Sequence, residues 1–219
     1  YYVLSEPTIS DFEFDQLLKE LDSLENQFKE LAHPNSPTKR VGGDITKKFV
    51  SVTHDFPMLS LSNSYSKEEI IDFESRARKL TDGEMHYVCE LKYDGVAIGI
   101  KYVDGHFDRA VTRGDGTKGE DISANVRTIK TIPMRLQGDD FPSDFEIRGE
   151  IFFPLTEFIR LNEEREDAGE PLYANPRNTA SGTLKNQNSA LVAERKLDSY
   201  LYGVYSKTSI SENHFDNVM

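Results

Sequence analysis

The sequence has one cysteine and a deficit of basic residues, and each shortage excludes a class of protein. Cys89 alone cannot form an intramolecular disulfide, and a chain with a single cysteine carries no four-cysteine zinc site. Lys and Arg number 26 against 38 Asp and Glu, for a net charge of −12. Because tight binding to a nucleic-acid backbone depends on Lys and Arg neutralising phosphates, this stretch by itself is not expected to hold DNA tightly.

Membrane and secretion signals are missing as well. No apolar run approaches the roughly 20 residues that a transmembrane helix needs, and the N-terminus lacks the pattern of a signal peptide. A length of 219 residues with 37% hydrophobic residues predicts a globular protein of one or two domains. We expect a cytoplasmic monomer without a membrane partner. Because the chain opens on Tyr1 rather than Met, we also expect a fragment of a longer protein.

Hydrophobic periodicity predicts helices in the N-terminal part of the chain. The sequence S-x-x-E at 10–13 is typical of a capping box, and apolar residues recur at helical spacing over 14–31. A second capping box at 66–69 begins another predicted helix. The patterns at 154–166 and 176–184 indicate two more helices, the last with proline at its first position.

The remaining patterns indicate strands. Apolar, β-branched and aromatic residues predict strands at 87–91, 96–103, 107–112, 145–153 and 197–205. Asp104-Gly105 predicts a tight turn between the second and third of these strands. Antiparallel strands with interspersed helices predict an α+β fold.

The most informative stretch is C-E-L-K-Y-D-G at 89–95, where Lys92 lies in an apolar run. K-x-D-G recurs by chance, so on this motif alone a structural lysine paired with Glu90 or Asp94 stays open. A free lysine is almost wholly protonated at neutral pH, whereas attack on phosphorus requires the neutral amine. Partial burial and nearby cations favour the neutral form. The candidate cations are Arg113 and Arg177.

Other motifs surround this lysine in the chain. They are H-D-F-P-M-L-S-L at 54–61, T-R-G-D-G-T-K-G-E-D at 112–121, E-I-R-G-E at 146–150, N-P-R-N at 175–178 and Y-G at 202–203. The glycine-rich stretch suits a phosphate or ribose site and matches neither a Walker loop nor a dinucleotide fingerprint. Glu150 within an apolar strand needs a partner, for which Arg148 is one candidate. Glu90 and Lys92 would share one face of a strand.

In this order and spacing, the motifs resemble the adenylation domain of the NAD⁺-dependent bacterial DNA ligases over nearly the whole chain. The resemblance implies an ATP-grasp-like nucleotidyltransferase core in residues 49–219, truncated at its C-terminus. It also implies a helical domain in residues 1–48 that captures the nicotinamide mononucleotide half of NAD⁺. Lys92 is then the catalytic nucleophile. It attacks the α-phosphate of NAD⁺, releases nicotinamide mononucleotide and holds AMP as a phosphoramidate used to seal nicks in replication and repair.

The resemblance further implies which residues bind the cofactor. In the core they are Ser60, Leu61, Glu90 at the adenine amine, Asp94, Arg113, Glu150 at the ribose hydroxyls, Arg177, and Tyr202 stacked on adenine. Gly95 would let the backbone approach the ligand, and Lys185 is a further candidate. In the helical domain they are Tyr1, Tyr2, Asp11, Phe12, Glu13, Phe14 and Asp15.

Two features of the helical segment bear on the predicted binding of nicotinamide mononucleotide. Phe14 replaces a typical tyrosine, so one hydroxyl is lost while the ring remains. Asp11 and Asp15 lie one helical turn apart and can face one ligand, although acidic residues also favour a helix start for electrostatic reasons. The family uses Mg²⁺, for which no ligand residue is assigned here. Zinc belongs only to a C-terminal part that is absent from this chain.

Several alternatives remain. ATP-dependent ligases and mRNA-capping guanylyltransferases share K-x-D-G, but ATP and GTP have no nicotinamide mononucleotide half for residues 1–15 to hold. Two further classes of protein are a nucleotide-binding module without chemistry and a structural or interaction protein. The partner of the whole protein would be nicked double-stranded DNA. This chain lacks the OB-fold, zinc-finger, helix-hairpin-helix and BRCT parts of the family, so we predict that it cannot seal nicks.

Overall fold

The computed structural model describes residues 11–33, 35–38, 49–138, 140–208, 210–211 and 213–218. Its helices and strands are α1 (Asp11–Gln27), β1 (Ser51–Thr53), α2 (Lys67–Ala77), β2 (Val96–Val103), β3 (His106–Thr112), β4 (Lys118–Glu120), α3 (Ser123–Val126), β5 (Asp144–Phe152), α4 (Leu155–Asp167), α5 (Pro176–Leu184), α6 (Ser189–Glu194), β6 (Asp198–Ser206) and α7 (His214–Val218). Helices are interspersed with antiparallel strands along the chain, which confirms the α+β prediction. None of the described helices has the length and apolar character needed to cross a membrane.

Two antiparallel sheets organise the described residues. The larger has the strand order β3-β2-β5-β6, and the smaller pairs β1 with β4. Asp104 and Gly105 have φ angles of 47° and 72° and form the predicted turn between β2 and β3. Val96 at the start of β2 lies opposite Ile151 near the end of β5. The loop that precedes β2 therefore reaches the sheet beside the C-terminal end of β5.

The larger sheet buries one face and presents polar groups on the other. Ile98 and Ile100 of β2 and Ile151 of β5 belong to the core, together with residues of the covering helices such as Val126, Ala180, Leu184 and Val192. Side chains alternate along a strand, so Glu146, Arg148 and Glu150 of β5 lie on the opposite face. This alternation indicates a half-covered sheet whose second face is available for a site.

Capping residues mark the starts of two predicted helices, α2 and α5. The Ser66 hydroxyl accepts a hydrogen bond from the Glu69 amide at 3.2 Å and caps α2. The Glu69 carboxylate accepts from the amide of Tyr65 rather than from that of Ser66, so the second half of the capping box is displaced by one residue. Asn175 caps α5, and Pro176 is its first residue as predicted.

The predicted strand at 87–91 is wrong, because residues 84–94 form neither helix nor strand. Tyr87, Val88 and Leu91 are exposed. A strand needs a neighbour for its N–H and C=O groups, and none of the described strands pairs with this segment. Glu90 and Lys92 therefore do not share a strand face. The predicted helix over 14–31 also ends early, at Gln27, before a short 3₁₀ turn; the cap expected at Ser10 lies outside the described residues.

Candidate active site

A cleft of about 1240 Å³ lies over the polar face of the larger sheet. Its walls come from the 58–61 and 88–95 segments, the end of β3 with β4, the C-terminal end of β5, β6 and one side of α5. Eight of the residues expected to act on the nucleotide line it, namely Ser60, Leu61, Glu90, Lys92, Arg113, Glu150, Arg177 and Tyr202. Asp94 is tied to the same cleft through Arg177, whose Nη1 lies 3.0 Å from its carboxylate.

The backbone just after the lysine is held against β5. The Gly95 amide donates to Glu150 Oε1 at 3.2 Å. A Cβ atom on Gly95 would lie 2.2 Å from the carbonyl oxygen of Ile151, so a side chain there would force the two segments apart. The close approach that requires glycine is thus made to strand β5, within the protein.

Lys92 is exposed in the cleft. Within the described part of the chain, no carboxylate lies within ion-pair distance of its ammonium group. The two carboxylates that could have neutralised it have other partners: Asp94 pairs with Arg177, and Glu90 lies 3.0 Å from Nε2 of His214. The interpretation of Lys92 as a structural lysine paired with Glu90 or Asp94 is therefore wrong.

Glu150 is a half-buried carboxylate beside the lysine segment. Burial raises the pKa of Glu150, and the Gly95 amide together with the charges of Lys92 and Arg177 acts in the opposite direction. Arg148 is not its partner, because the Arg148 Nε atom donates to Glu146 at 2.8 Å. The carboxylate thus keeps acceptor capacity toward the cleft beyond its bond to Gly95.

Arg148 joins several walls of the cleft. Its side chain is 7% exposed and pairs with Glu146, which is 10% exposed. Its Nη1 and Nη2 atoms donate to the carbonyl oxygens of Pro57 and Phe56 at 3.0 and 2.6 Å. The guanidinium also lies 3.9 Å from the ring centroid of Tyr205. One buried side chain therefore links β5, β6 and the segment that carries Ser60 and Leu61.

The segment that carries Ser60 and Leu61 is also bonded to the glycine-rich stretch. The Met58 amide donates to the Gly116 carbonyl at 2.8 Å, and the His54 amide donates to the Thr117 carbonyl at 2.9 Å. His54 Nε2 lies 3.1 Å from the Arg113 carbonyl oxygen. These bonds fix the backbone at Arg113 and in the turn that follows it.

The glycine-rich stretch is a tight hairpin in which β4 intervenes between the turn and the next helix. Asp115 Oδ1 accepts from the amides of Lys118 and Thr117 at 2.7 and 2.8 Å, and these bonds hold the pKa of Asp115 below its usual value. Gly114 has a φ of 58°, and a Cβ on it would lie 1.9 Å from the Lys118 carbonyl oxygen. The glycines therefore allow a turn that brings Arg113 and Lys118 into the cleft wall.

One side of α5 and the residue after it contribute two residues that were expected, Arg177 and Lys185, and one that was not, Ser181. Arg177, Ser181 and Lys185 recur at intervals of four, and all three line the cleft. Lys185 pairs with Glu120 of β4 at 2.8 Å, which ties the helix to the hairpin. The helical spacing downstream of Arg177 is the sequence signal that could have identified Ser181.

Tyr202 reaches the cleft from an irregularity in β6. Arg148 of β5 pairs with Gly203, whereas Gly149 pairs with Leu201, so Tyr202 is the extra residue of a bulge. Burial raises the pKa of the Tyr202 hydroxyl, and the Glu150 charge adds to this effect. No sequence pattern indicates the bulge, although Tyr202 itself was expected at the site.

The residues expected to hold nicotinamide mononucleotide are not tested by the structure. Tyr1 and Tyr2 lie outside the described residues, as do the side chains of Asp11, Phe12, Phe14 and Asp15. Glu13 is described and is exposed on α1. Their roles stay predictions.

Comparison with known proteins gives two family matches. Residues 46–218 match the NAD-dependent DNA ligase adenylation domain, and residues 1–42 match the DNA ligase-like, N-terminal NAD⁺-binding domain.

Curated relatives agree with these matches. The chain is 56% identical over 218 residues to a DNA ligase of Parabacteroides distasonis and 54% identical over 218 residues to one of Bacteroides fragilis. It is also 54% identical over 220 residues to a DNA ligase of Porphyromonas gingivalis. Each match covers the whole of this chain and 33% of the relative, so the chain spans about a third of their length. The chain belongs to the NAD-dependent DNA ligase family, in which most of its length corresponds to the adenylation domain.

Proposed function

We propose that the cleft binds NAD⁺ and that Lys92 becomes covalently adenylated as the first step of DNA ligation. The observation that carries this proposal is the state of Lys92, which is exposed in the cleft with no carboxylate partner among the described residues. An unpaired amine beside a cluster of cations and a half-buried carboxylate suits a nucleophile better than a structural charge. Membership of the ligase family supplies the substrate and the type of reaction.

In the proposed step, the neutral Lys92 amine attacks the α-phosphorus of NAD⁺. An N–P bond forms, and the bond from that phosphorus to the bridging oxygen breaks. Nicotinamide mononucleotide leaves with the electron pair on its phosphate, and the proton released from the amine passes to water. Arg113 and Arg177 are the cations in the cleft wall placed to offset negative charge on the phosphates.

The other cleft residues take roles in binding. Glu90 accepts a hydrogen bond from the adenine amine, and nucleotide binding would then displace its present partner His214. Tyr202 offers a ring for stacking on the base. Glu150 accepts from the ribose hydroxyls while its bond to Gly95 holds the lysine segment in place. Ser60 and Leu61 line the same cleft and would contact the nucleotide.

Two further assignments belong to the same proposal. Residues 49–219 form an ATP-grasp-like nucleotidyltransferase core, and residues 1–48 form the domain that captures nicotinamide mononucleotide; the two family matches, which meet between residues 42 and 46, support this division. Mg²⁺ is often held by one or two carboxylates together with substrate phosphates. In the described part of the chain there is no group of three or more His, Cys, Asp or Glu side chains that could hold a metal. We therefore assign no metal ligand.

The whole protein would use the enzyme-bound AMP to seal nicks in double-stranded DNA during replication and repair, in the cytoplasm. The net charge of −12 indicates that most phosphate contacts come from outside this chain. We therefore expect the chain to bind nicked DNA weakly and not to seal it. Detection of nick sealing by this chain alone would contradict that expectation.

Intact mass spectrometry after incubation with NAD⁺ and Mg²⁺ tests the proposal. We expect a gain of one adenylate in the wild-type chain and in Lys79→Ala, an exposed lysine outside the cleft, and no gain in Lys92→Ala. ATP in place of NAD⁺ should give no gain, which separates this family from ATP-dependent ligases. NAD⁺ binding without any mass gain would overturn the covalent step for this chain and leave a nucleotide-binding module.

A further inference from the structure

Three aromatic rings form a continuous stack next to the lysine. Tyr93 lies on Tyr200 with 4.0 Å between ring centroids and 18° between planes. Tyr200 lies on Phe152 at 4.8 Å and 6°. The stack thus joins the K-x-D-G segment to β6 and β5 and involves the residue directly after Lys92.

The register of the sheet explains where this stack stands. Tyr200 of β6 is the register partner of Glu150 of β5, so the two side chains lie on the same face. Phe152 follows Glu150 by two residues and shares that face too. The Tyr93 ring therefore fastens the lysine segment over the polar face, immediately beside Glu150.

Among the described residues, the other contacts of the segment that carries Lys92 lie at Glu90, Asp94 and Gly95, and Glu90 lies 3.0 Å from Nε2 of His214. Residues 84–94 have no helical or strand hydrogen bonding. The ion pair between Asp94 and Arg177 joins side chains that are 74% and 59% exposed, and such pairs contribute little and are screened by salt. The bond from the Gly95 amide to Glu150 fixes only the end of the segment. The stack is an attachment between uncharged rings, which salt does not screen.

We propose that Tyr93 is a positioning residue, which by stacking on Tyr200 and Phe152 holds the K-x-D-G segment so that Lys92 is presented to the cleft. The proposal rests on the proposed function in that Lys92 is taken as the nucleophile. If the segment samples other positions without the stack, only the competent fraction reacts, and the rate constant at saturating NAD⁺ falls by that fraction. The free energy that one stacked aromatic pair contributes corresponds to a fall of about threefold to tenfold in this rate constant.

Tyr93→Ala and Tyr93→Phe test the proposal, with Tyr87→Ala as the matched control. Tyr87 is an exposed tyrosine of the same segment, and no described ring stacks on it. We expect Tyr93→Ala to lower the rate constant of adduct formation by about threefold to tenfold, with NAD⁺ affinity within about twofold of wild type. Tyr93→Phe keeps the ring and should behave as wild type. The loss in Tyr93→Ala should deepen at high salt, because the pair between Asp94 and Arg177, one of the contacts that remain in this variant, is screened by salt.

Hydrogen exchange of the peptide over 88–95 provides a second readout that needs no chemistry. We expect faster exchange in Tyr93→Ala and in Tyr200→Ala, with no further increase in the double variant because both remove the same contact. Unchanged exchange and an unchanged rate constant in Tyr93→Ala would overturn the proposal. A weaker NAD⁺ affinity with an unchanged rate constant would overturn it as well, since Tyr93 would then contact the ligand. If the wild-type chain forms no adduct, the proposed function fails, and exchange still decides the role of the stack.

Discussion

Replacing Arg148 by methionine tests whether one buried side chain holds the cleft together. The side chains of Arg148 and Glu146 are 7% and 10% exposed, so the substitution leaves the Glu146 carboxylate buried without its partner. Breaking a buried pair from one side costs about 3–5 kcal/mol, a large part of the 5–15 kcal/mol typical of a folded domain. The carbonyl oxygens of Phe56 and Pro57 lose their donors in the same variant.

The assay is urea unfolding followed by circular dichroism. With a slope of about 2 kcal/mol per molar urea, the expected loss lowers the midpoint by about 1.5–2.5 M. Arg78→Met is the matched control, because Arg78 pairs with Glu74 one helical turn away at exposed fractions of 58% and 36%. An exposed pair of this kind contributes about 0.3–0.5 kcal/mol, so its midpoint should move by less than about 0.3 M.

The double variant Glu146→Gln, Arg148→Met separates the unpaired charge from the lost contacts. Removing the carboxylate charge should recover part of the stability that Arg148→Met loses, because the remaining side chain no longer carries a buried charge. Equal midpoint shifts for Arg148→Met and Arg78→Met would refute the reasoning that Arg148 ties β5 to the 54–61 segment.

Three further predictions, which use four substitutions, test individual contacts of the cleft. Gly95→Ala should abolish adenylate formation in the mass assay, because its Cβ would lie 2.2 Å from the Ile151 carbonyl oxygen and push the lysine segment off β5. Normal adduct formation would show that the close contact between Gly95 and β5 is dispensable. Glu150→Gln should improve the free energy of unfolding at pH 7.5 relative to wild type but not at pH 4. The raised pKa of Glu150 means that ionisation costs stability as pH rises from the usual carboxyl value of 4.5 through the raised value; a pH-independent difference in urea titrations would contradict this. Glu90→Ala should weaken NAD⁺ binding measured by calorimetry, because the adenine amine would lose its proposed acceptor. His214→Ala should leave the affinity unchanged or tighter, because in the proposed complex the nucleotide displaces His214 from the carboxylate. Equal weakening by both variants would argue against that role for Glu90.

Elements with strong local signals could be predicted from the sequence. The strand Val96–Val103 and the turn at Asp104-Gly105 were predicted because apolar residues and turn residues fall at the required spacing. Helix α5 was predicted because Asn175 and Pro176 together mark a helix start. The motifs also identified most of the nucleotide-binding residues in the core that the structure brings together in one cleft.

Features that depend on distant partners could not be predicted. The segment 87–91 has strand-forming residues, but strand formation also needs a neighbouring strand, which sequence periodicity does not report. Arg148 was considered as a partner for Glu150, whereas it pairs with Glu146. Both carboxylates share its strand face, so the strand pattern alone does not decide between them. The bulge that redirects Tyr202 depends likewise on the register between two strands.

The most direct test of Lys92 as the nucleophile is to locate the adenylate by peptide mass spectrometry after incubation with NAD⁺. We predict a single modified site, Lys92, in the peptide that contains K-x-D-G. Modification of Lys118 or Lys185, the other lysines of the cleft wall, or an adduct that persists in Lys92→Ala, would contradict the proposed mechanism.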